Sequence, residues 1–258
     1  MLKNKLVFIT GASSGIGAAC AKHFAQAGAK ILLCARHTKK LETLASQLQK
    51  EYGTETHCFA LDVTQLDQVQ NCLNNLPAPW KAIDILVNNA GLAAGLDTVA
   101  EGNIQDWEAM INTNVKGLLY ITRTLLPGMI QRKSGHIINL GSIAGHQVYP
   151  KGAVYCATKA AVKSISEGLR LDLFGTPIRV SSVDPGAVET NFSVVRFKGD
   201  AQKAAAVYEG IEPLTADDIA ETIVFCASRP PHVNISEVVI MPTAQASATM
   251  MYRKTSKN

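Results

Sequence analysis

The chain holds no long hydrophobic run. Apolar stretches such as "KLVFIT" (5–10) and "KILLCA" (30–35) fall far short of the roughly 20 residues that a membrane-spanning helix needs. No cationic leader precedes an apolar segment and a small-residue cleavage site, so no membrane partner and a cytoplasmic location are expected. The six cysteines, Cys20, Cys34, Cys58, Cys72, Cys156 and Cys226, form no C-x-x-C pair, and the six histidines form no H-x-x-x-H pair. That leaves no recognisable metal site and suggests reduced, structural thiols. Charge is sparse too: 18% of residues are charged and the net charge of +4 is dispersed, which gives nucleic acid no basic face to bind. The one local excess, "MYRKTSKN" (251–258), reads as a solvated terminus. Linkers rich in Pro, Gly or Ser, low-complexity tracts and internal repeats are missing as well. At 258 residues one α/β domain with a single large core is the expected organisation.

What is present alternates. Short, β-branched apolar runs bounded by Gly, Pro, Asn or Asp predict strands at 5–10, 30–35, 56–62, 83–89, 135–142, 178–185 and 237–242. Helix-length segments lie between them, near 16–27, 38–51, 65–75, 106–132, 153–174 and 215–228. Leu41, Leu44, Ala45 and Leu48 trace the apolar stripe of one such helix. Strict β/α alternation predicts a doubly wound parallel sheet with helices on both faces. Residues 189–214 break the alternation and form either a lid over a site or an irregular surface loop. A tail follows at 243–258.

The turn after the first strand reads Thr10, Gly11, Ala12, Ser13, Ser14, Gly15, Ile16, Gly17. Glycines at a strand-to-helix turn let backbone approach a pyrophosphate, and the helix start offers free N–H groups and a positive dipole end. The spacing G-x-x-x-G-x-G differs from the G-x-G-x-x-G fingerprint, but its position supports dinucleotide binding. A carboxylate at the end of the second strand, which would bind a free ribose 2′-hydroxyl, is also lacking. Ala35 and Arg36 stand there, followed by Lys39 and Lys40, so a 2′-phosphate meets a guanidinium and NADP(H) is favoured. In the predicted helix at 153–174, Tyr155 and Lys159 share a face at i, i+4. A cation beside a phenol lowers its pKa and equips it as an acid/base.

With these elements placed, the chain resembles the short-chain dehydrogenase/reductase family over residues 5 to about 242. The motifs that carry the likeness are Thr10 to Gly17, Leu61-Asp62-Val63, Asn88-Asn89-Ala90-Gly91, Asn114, Gly141-Ser142, Tyr155-x-x-x-Lys159 and Pro185-Gly186 with Thr190. "LPAPWKAIDILVNNAGLAAG" (76–95), "VRFKGD" (195–200) and "PHVNISEVVIMPTAQ" (231–245) are similar to its NADP-dependent 3-hydroxy acid dehydrogenase branch, which includes enzymes oxidising serine and allo-threonine. The resemblance implies a Rossmann-type seven-stranded sheet in a single domain, a homotetramer, and NADP-linked interconversion of an alcohol and its carbonyl. It assigns Tyr155 as acid/base, Ser142 to the reacting oxygen, Lys159 to the nicotinamide ribose and Asn114 to a proton-relay water. Asp62 and Val63 would border the adenine, Asn89, Ala90 and Gly91 the ribose. Pro185, Gly186, Val188 and Thr190 would lie at the nicotinamide end.

A 3-hydroxy acid carries a carboxylate, for which Arg196 and Lys198 in the segment 189–214 are the candidate cations. Gln147 and His146 are further candidates for the same pocket. Two other readings stay open at this stage: a reductase of ketones or 3-oxoacyl thioesters, and a catalytically silent NADP-sensing scaffold. The surplus apolar residues Val162, Ile165, Leu169, Leu171 and Leu173 fit either a subunit contact or a wide internal core face.

Overall fold

The computed structural model describes residues 2–254. In chain order the elements are β1 (Leu6–Thr10), α1 (Gly15–Gln26), β2 (Lys30–Ala35), α2 (Lys39–Tyr52), β3 (Thr56–Ala60), α3 (Leu66–Asn74), β4 (Ile85–Asn88), α4 (Ile104–Ile111) and α5 (Leu118–Arg132). They continue with β5 (His136–Leu140), α6 (Ala153–Asp172), β6 (Arg179–Pro185), α7 (Phe192–Arg196), α8 (Ala201–Ala206), α9 (Ala216–Ala227) and β7 (Glu237–Ile240). Among the described residues no helix is long and apolar enough to cross a membrane.

The strands form one parallel sheet in the order β3-β2-β1-β4-β5-β6-β7. All five residues of β1 are buried, as expected of a central strand covered on both faces. Val7 and Ile9 point into the core shared with Phe24, Leu41, Leu48, Ile219 and Ile223. Leu6 and Phe8 point into the other, with Leu86, Ile121, Met129 and Val180. Because side chains alternate across a strand, one run supplies both layers. The strand order reverses between β1 and β4, and the crevice outside their carboxyl ends is where such sheets hold ligands.

Two segments differ from expectation in ways that shape that crevice. The stretch 106–132, expected as one helix, is divided: residues Asn112–Gly117 form a π-helical turn between α4 and α5. Its extra residue turns Asn114 inward, where it is buried, and lets Gly117 sit against Val63, whose Cγ2 is 2.8 Å from where a Cβ would stand. The segment 189–214 contains α7 and α8. Its ends are tied by a bridge between Val188 and Leu214 and its middle by a 2.7 Å hydrogen bond between the Ser193 and Tyr208 hydroxyls.

The tail from residue 243 folds back over this segment. The Tyr252 N–H donates to the Ala244 carbonyl at 2.8 Å and the Lys254 N–H to the Gly210 carbonyl at 2.8 Å. The Arg253 guanidinium donates to the carbonyls of Val207 and Glu209. The last part of the basic terminus, 255–258, lies outside the described residues.

Candidate active site

The glycine turn is built by exclusion of side chains. Gly11 and Gly15 have φ of +63° and +53°, which favour glycine. A Cβ on Gly11 would stand 2.9 Å from the Ala90 Cα, and one on Gly17 would stand 2.5 Å from Asn89 Nδ2 and 2.6 Å from the Gly11 carbonyl oxygen. Two of the residues expected at the cofactor also brace the turn, and one of them, Asn89, lines the cleft. Thr10 Oγ1 accepts from the N–H groups of Asn89 at 3.1 Å and Ala90 at 3.0 Å. Asn89 Nδ2 donates to the carbonyls of Thr10 at 2.9 Å and Gly11 at 3.1 Å. Gly17→Ala therefore drives a methyl into this lattice. Overpacking costs about 1–3 kcal/mol, and thermal denaturation together with NADPH titration should show lower stability and weaker cofactor binding.

Gly11, Ser14, Gly15 and Ile16 face the cleft. Ser14 is extended, its side chain makes no capping bond to α1, and the first turn of α1 carries no acidic residue. Among the described residues the N-terminal N–H groups of α1 thus lack a side-chain cap, which leaves them free for an anion, so the turn fits a dinucleotide. Arg36 is exposed at the end of β2, ahead of the exposed Lys39 and Lys40, and Ser13 is half-buried. Asp62 spends its carboxylate on the turn before α3, accepting from the Thr64 N–H at 3.0 Å and the Thr64 hydroxyl at 2.8 Å. Val63 lies in the core.

At the other side of the crevice β5 ends and the chain passes through Ser142, which is buried. Its Oγ accepts from the Ala144 N–H at 3.1 Å and donates to the Pro185 carbonyl at 3.4 Å. Tyr155 and Lys159 occupy the first two turns of α6 and are also buried. Burial holds the Tyr155 phenol neutral, above its ordinary value. The Arg196 charge and the Ser142 hydroxyl act against that, while Tyr149 and Cys156 add to it. Arg196, whose guanidinium lies 5.0 Å from the Tyr155 ring centre, is a cation at Tyr155 that the helical spacing did not reveal. The Lys159 ammonium donates to the Leu140 carbonyl, 2.8 Å away, because a buried ammonium needs an acceptor and a strand end offers one. Burial pushes Lys159 down to about 8, against the charge of Asp184.

Asn114 reaches from the π turn to the loop after β4. Its Oδ1 accepts from the Leu92 N–H at 2.9 Å, and its Nδ2 donates to the Leu92 carbonyl at 2.8 Å and to Thr158 Oγ1 at 3.0 Å. A Cβ on Gly91 would stand 3.2 Å from Asn114 Oδ1 and 3.7 Å from Lys159 Nζ, so Asn114, Lys159 and the loop after β4 meet at one point.

Ser142, Tyr155 and Lys159 open onto a cleft of about 710 Å³, a size usual for ligand and cofactor sites. Ala90, Gly91, Pro185, Gly186, Val188 and Thr190 line it, as does Arg196. The Arg196 guanidinium donates to the Tyr149 hydroxyl at 2.6 Å and lies 5.0 Å from the Tyr155 ring centre and 5.4 Å from that of Phe192. Its Nε is buried and has no hydrogen-bond partner among the described residues. The other substrate candidates lie elsewhere. Lys198 is exposed and pairs with Asp106 at 2.9 Å, Gln147 accepts from the Ala248 N–H at 2.8 Å, and His146 faces Asp184 and Glu237.

Tyr149, Phe192, Tyr208, Gln245 and Thr249 also line the cleft, and none stood out in the sequence. Tyr149, six residues before Tyr155, is the one whose position could have signalled it. The tail residues reach the site only through the backward fold of the chain end.

Comparison with known proteins agrees with this geometry. A family model described as short chain dehydrogenase matches residues 5–200. The NADP-dependent 3-hydroxy acid dehydrogenase YdfG of Salmonella typhi is 46% identical over 244 residues, covering 94% of this chain and 97% of that protein. The NADP-dependent 3-hydroxy acid dehydrogenase of Schizosaccharomyces pombe is 44% identical over 254 residues, 98% of each. Among solved structures, the closed form of serine dehydrogenase complexed with NADP+ matches with a TM-score of 0.90 and 43% identity, covering 97% of this chain and 100% of that one.

Proposed function

The chain belongs to the short-chain dehydrogenase family, and from that premise we propose that it interconverts a 3-hydroxy acid and its 3-oxo acid, with Tyr155 moving the hydroxyl proton. It is an NADP(H)-dependent oxidoreductase acting on CH–OH groups, in keeping with its similarity to NADP-dependent 3-hydroxy acid dehydrogenases and to a serine dehydrogenase that binds NADP+. The observation that carries the acid specificity is Arg196. It is a cleft guanidinium whose buried Nε has no partner among the described residues, and it lies against the Tyr155 ring, within reach of an alcohol two carbons from a carboxylate.

Bound NADP(H) supplies the hydride acceptor or donor. Ser142, at the mouth of β5, orients the substrate oxygen toward Tyr155. In reduction Tyr155 donates its proton to that oxygen, and burial keeps it protonated for the purpose. In oxidation it accepts the alcohol proton, a task helped by the positive charge of Arg196. Lys159 holds the ribose side of the cleft, and Asn114 fixes the loop against it. Residues 189–214, carrying Arg196 and backed by the tail, act as the substrate lid.

A cytoplasmic homotetramer is the assembly we infer. Val162 and Leu173 are spent in the protein's own core, but Leu171 is 72% and Phe174 93% exposed. Ile104, Ile111 and Leu119 stand exposed along α4 and the start of α5. These faces support burial between subunits.

Initial rates with NADP+ and NAD+ against serine, allo-threonine, 3-hydroxyisobutyrate, simple secondary alcohols and, in reverse, acetoacetyl thioesters test the reading. Turnover of the hydroxy acids with NADP+ is expected. Equal or better rates with the neutral alcohols or the thioesters would reject the acid specificity. Arg36→Ala is expected to lower kcat/KM for NADP+ while sparing NAD+. A charge-assisted contact worth about 1.5–3 kcal/mol corresponds to about 10- to 100-fold.

A further inference from the structure

Near the Leu140 carbonyl that receives Lys159, the buried Asp184 meets the half-buried His146 and the exposed Glu237. Asp184, near the end of β6, is 1% exposed. One carboxylate oxygen accepts from the Ser182 hydroxyl at 2.8 Å, and the other lies 3.3 Å from His146 Nε2. The same nitrogen is 3.3 Å from Glu237 Oε1 on β7. An ionised carboxylate only accepts, so with two of them converging on Nε2 the hydrogen belongs on that nitrogen. The Asp184 carboxylate also fills the space that a side chain on residue 141 would take. Gly141 thus lets a buried anion lie against the backbone that leads directly to Leu140.

A carboxylate buried this deeply takes up a proton unless it is hydrogen-bonded and paired. Burial does push Asp184 upward and Glu237 adds to that, while the Ser182 and His146 hydrogen bonds and the His146 charge pull it back. Asp184 is in turn the charge that opposes the effect of burial on Lys159. The other titratable and charged groups of the site, Arg196, Tyr149 and Cys156, bear on Tyr155.

We propose that Asp184, held ionised by His146, is the counter-charge that keeps Lys159 an ammonium, so that both serve as positioning residues for the Tyr155–Lys159 pair. The role rests on Lys159's place in the site and not on which alcohol is turned over. The sign follows from charge alone. With the anion gone, a buried ammonium is less favourable, Lys159 loses its proton at lower pH, and activity in the alkaline range is lost earlier.

The test reads Lys159 directly, by pH titration of its side-chain signal in protein labelled with [13C]lysine, assigned from its disappearance in Lys159→Arg. Wild type is expected to titrate near the value of about 8. Asp184→Asn and His146→Leu should move the midpoint down by about one pH unit or more, with a parallel shift in the alkaline limb of kcat/KM. His146→Gln, which retains an N–H donor, should stay close to wild type. An Asp184→Asn midpoint equal to wild type overturns the proposal. So does a His146→Gln midpoint displaced as far as that of His146→Leu, since the hydrogen bond would then not be what matters. Melting temperatures of the same variants separate a loss of packing, which leaves the titration in place, from the loss of charge.

Discussion

Tyr155→Phe leaves a folded, NADPH-binding protein whose kcat is lower by about 10²- to 10⁴-fold, the usual contribution of a positioned acid/base. The ring stays, so its packing against Phe192, 5.8 Å between ring centres, and the Arg196 guanidinium at 5.0 Å remain. Only the hydroxyl that exchanges the proton is lost. The buried phenol is hard to ionise, so the oxidation rate in the wild type should rise with pH until Lys159 begins to lose its charge. In reduction the phenol stays protonated across the working range, so the rate should hold at lower pH and fall as Lys159 loses its charge at about 8. Stopped-flow measurement of NADPH oxidation and fluorescence titration of NADPH separate the two effects. A variant that binds NADPH normally and turns over at the wild-type rate would remove Tyr155 from the chemistry.

Arg196→Ala should lower kcat/KM for hydroxy acids by about 10²-fold, within the roughly 2–5 kcal/mol range for truncating one partner of a buried charge pair. A neutral secondary alcohol should be affected far less. The small residual loss for that substrate would report the second role of Arg196, its charge beside the Tyr155 phenol, and should appear in kcat rather than KM. Arg196→Lys is not expected to rescue the acid substrates. A single ammonium cannot both bond the Tyr149 hydroxyl, as the guanidinium does at 2.6 Å, and present a two-pronged donor to a carboxylate. Equal losses for charged and neutral substrates would point to collapse of the segment 189–214, which circular dichroism and melting curves of the variant can report.

Some of this site could be read along the chain. Gly11, Gly15 and Gly17 announce a tight turn because the demand they meet is local: a positive φ at two of them and a missing Cβ at the third. Tyr155 and Lys159 are brought to one face of α6 by helical pitch alone. Arg36 follows β2 directly, so the sign of charge at that strand end is legible too. By contrast, Thr10 and Asn89 look like ligand contacts in a motif, yet they bond one another's backbones across the β1–β4 junction. Asp62 likewise closes its own turn. These bonds shape the site, and spacing along the chain does not reveal them.

By itself the sequence determined the alternating strands and helices, the glycine turn after β1 and the placing of Tyr155 and Lys159 on one helix face, because each depends on periodicity or on neighbours a few residues away. Tertiary structure alone decided that Arg196 stands over Tyr155, that Gln245 and Thr249 line the cleft, that Asn114 turns inward on a π turn, and that Asp184 and His146 meet behind Lys159. Those pairings join residues far apart in the chain, so they depend on strand order, on the register of β5, β6 and β7, and on where burial leaves a charge in need of a partner.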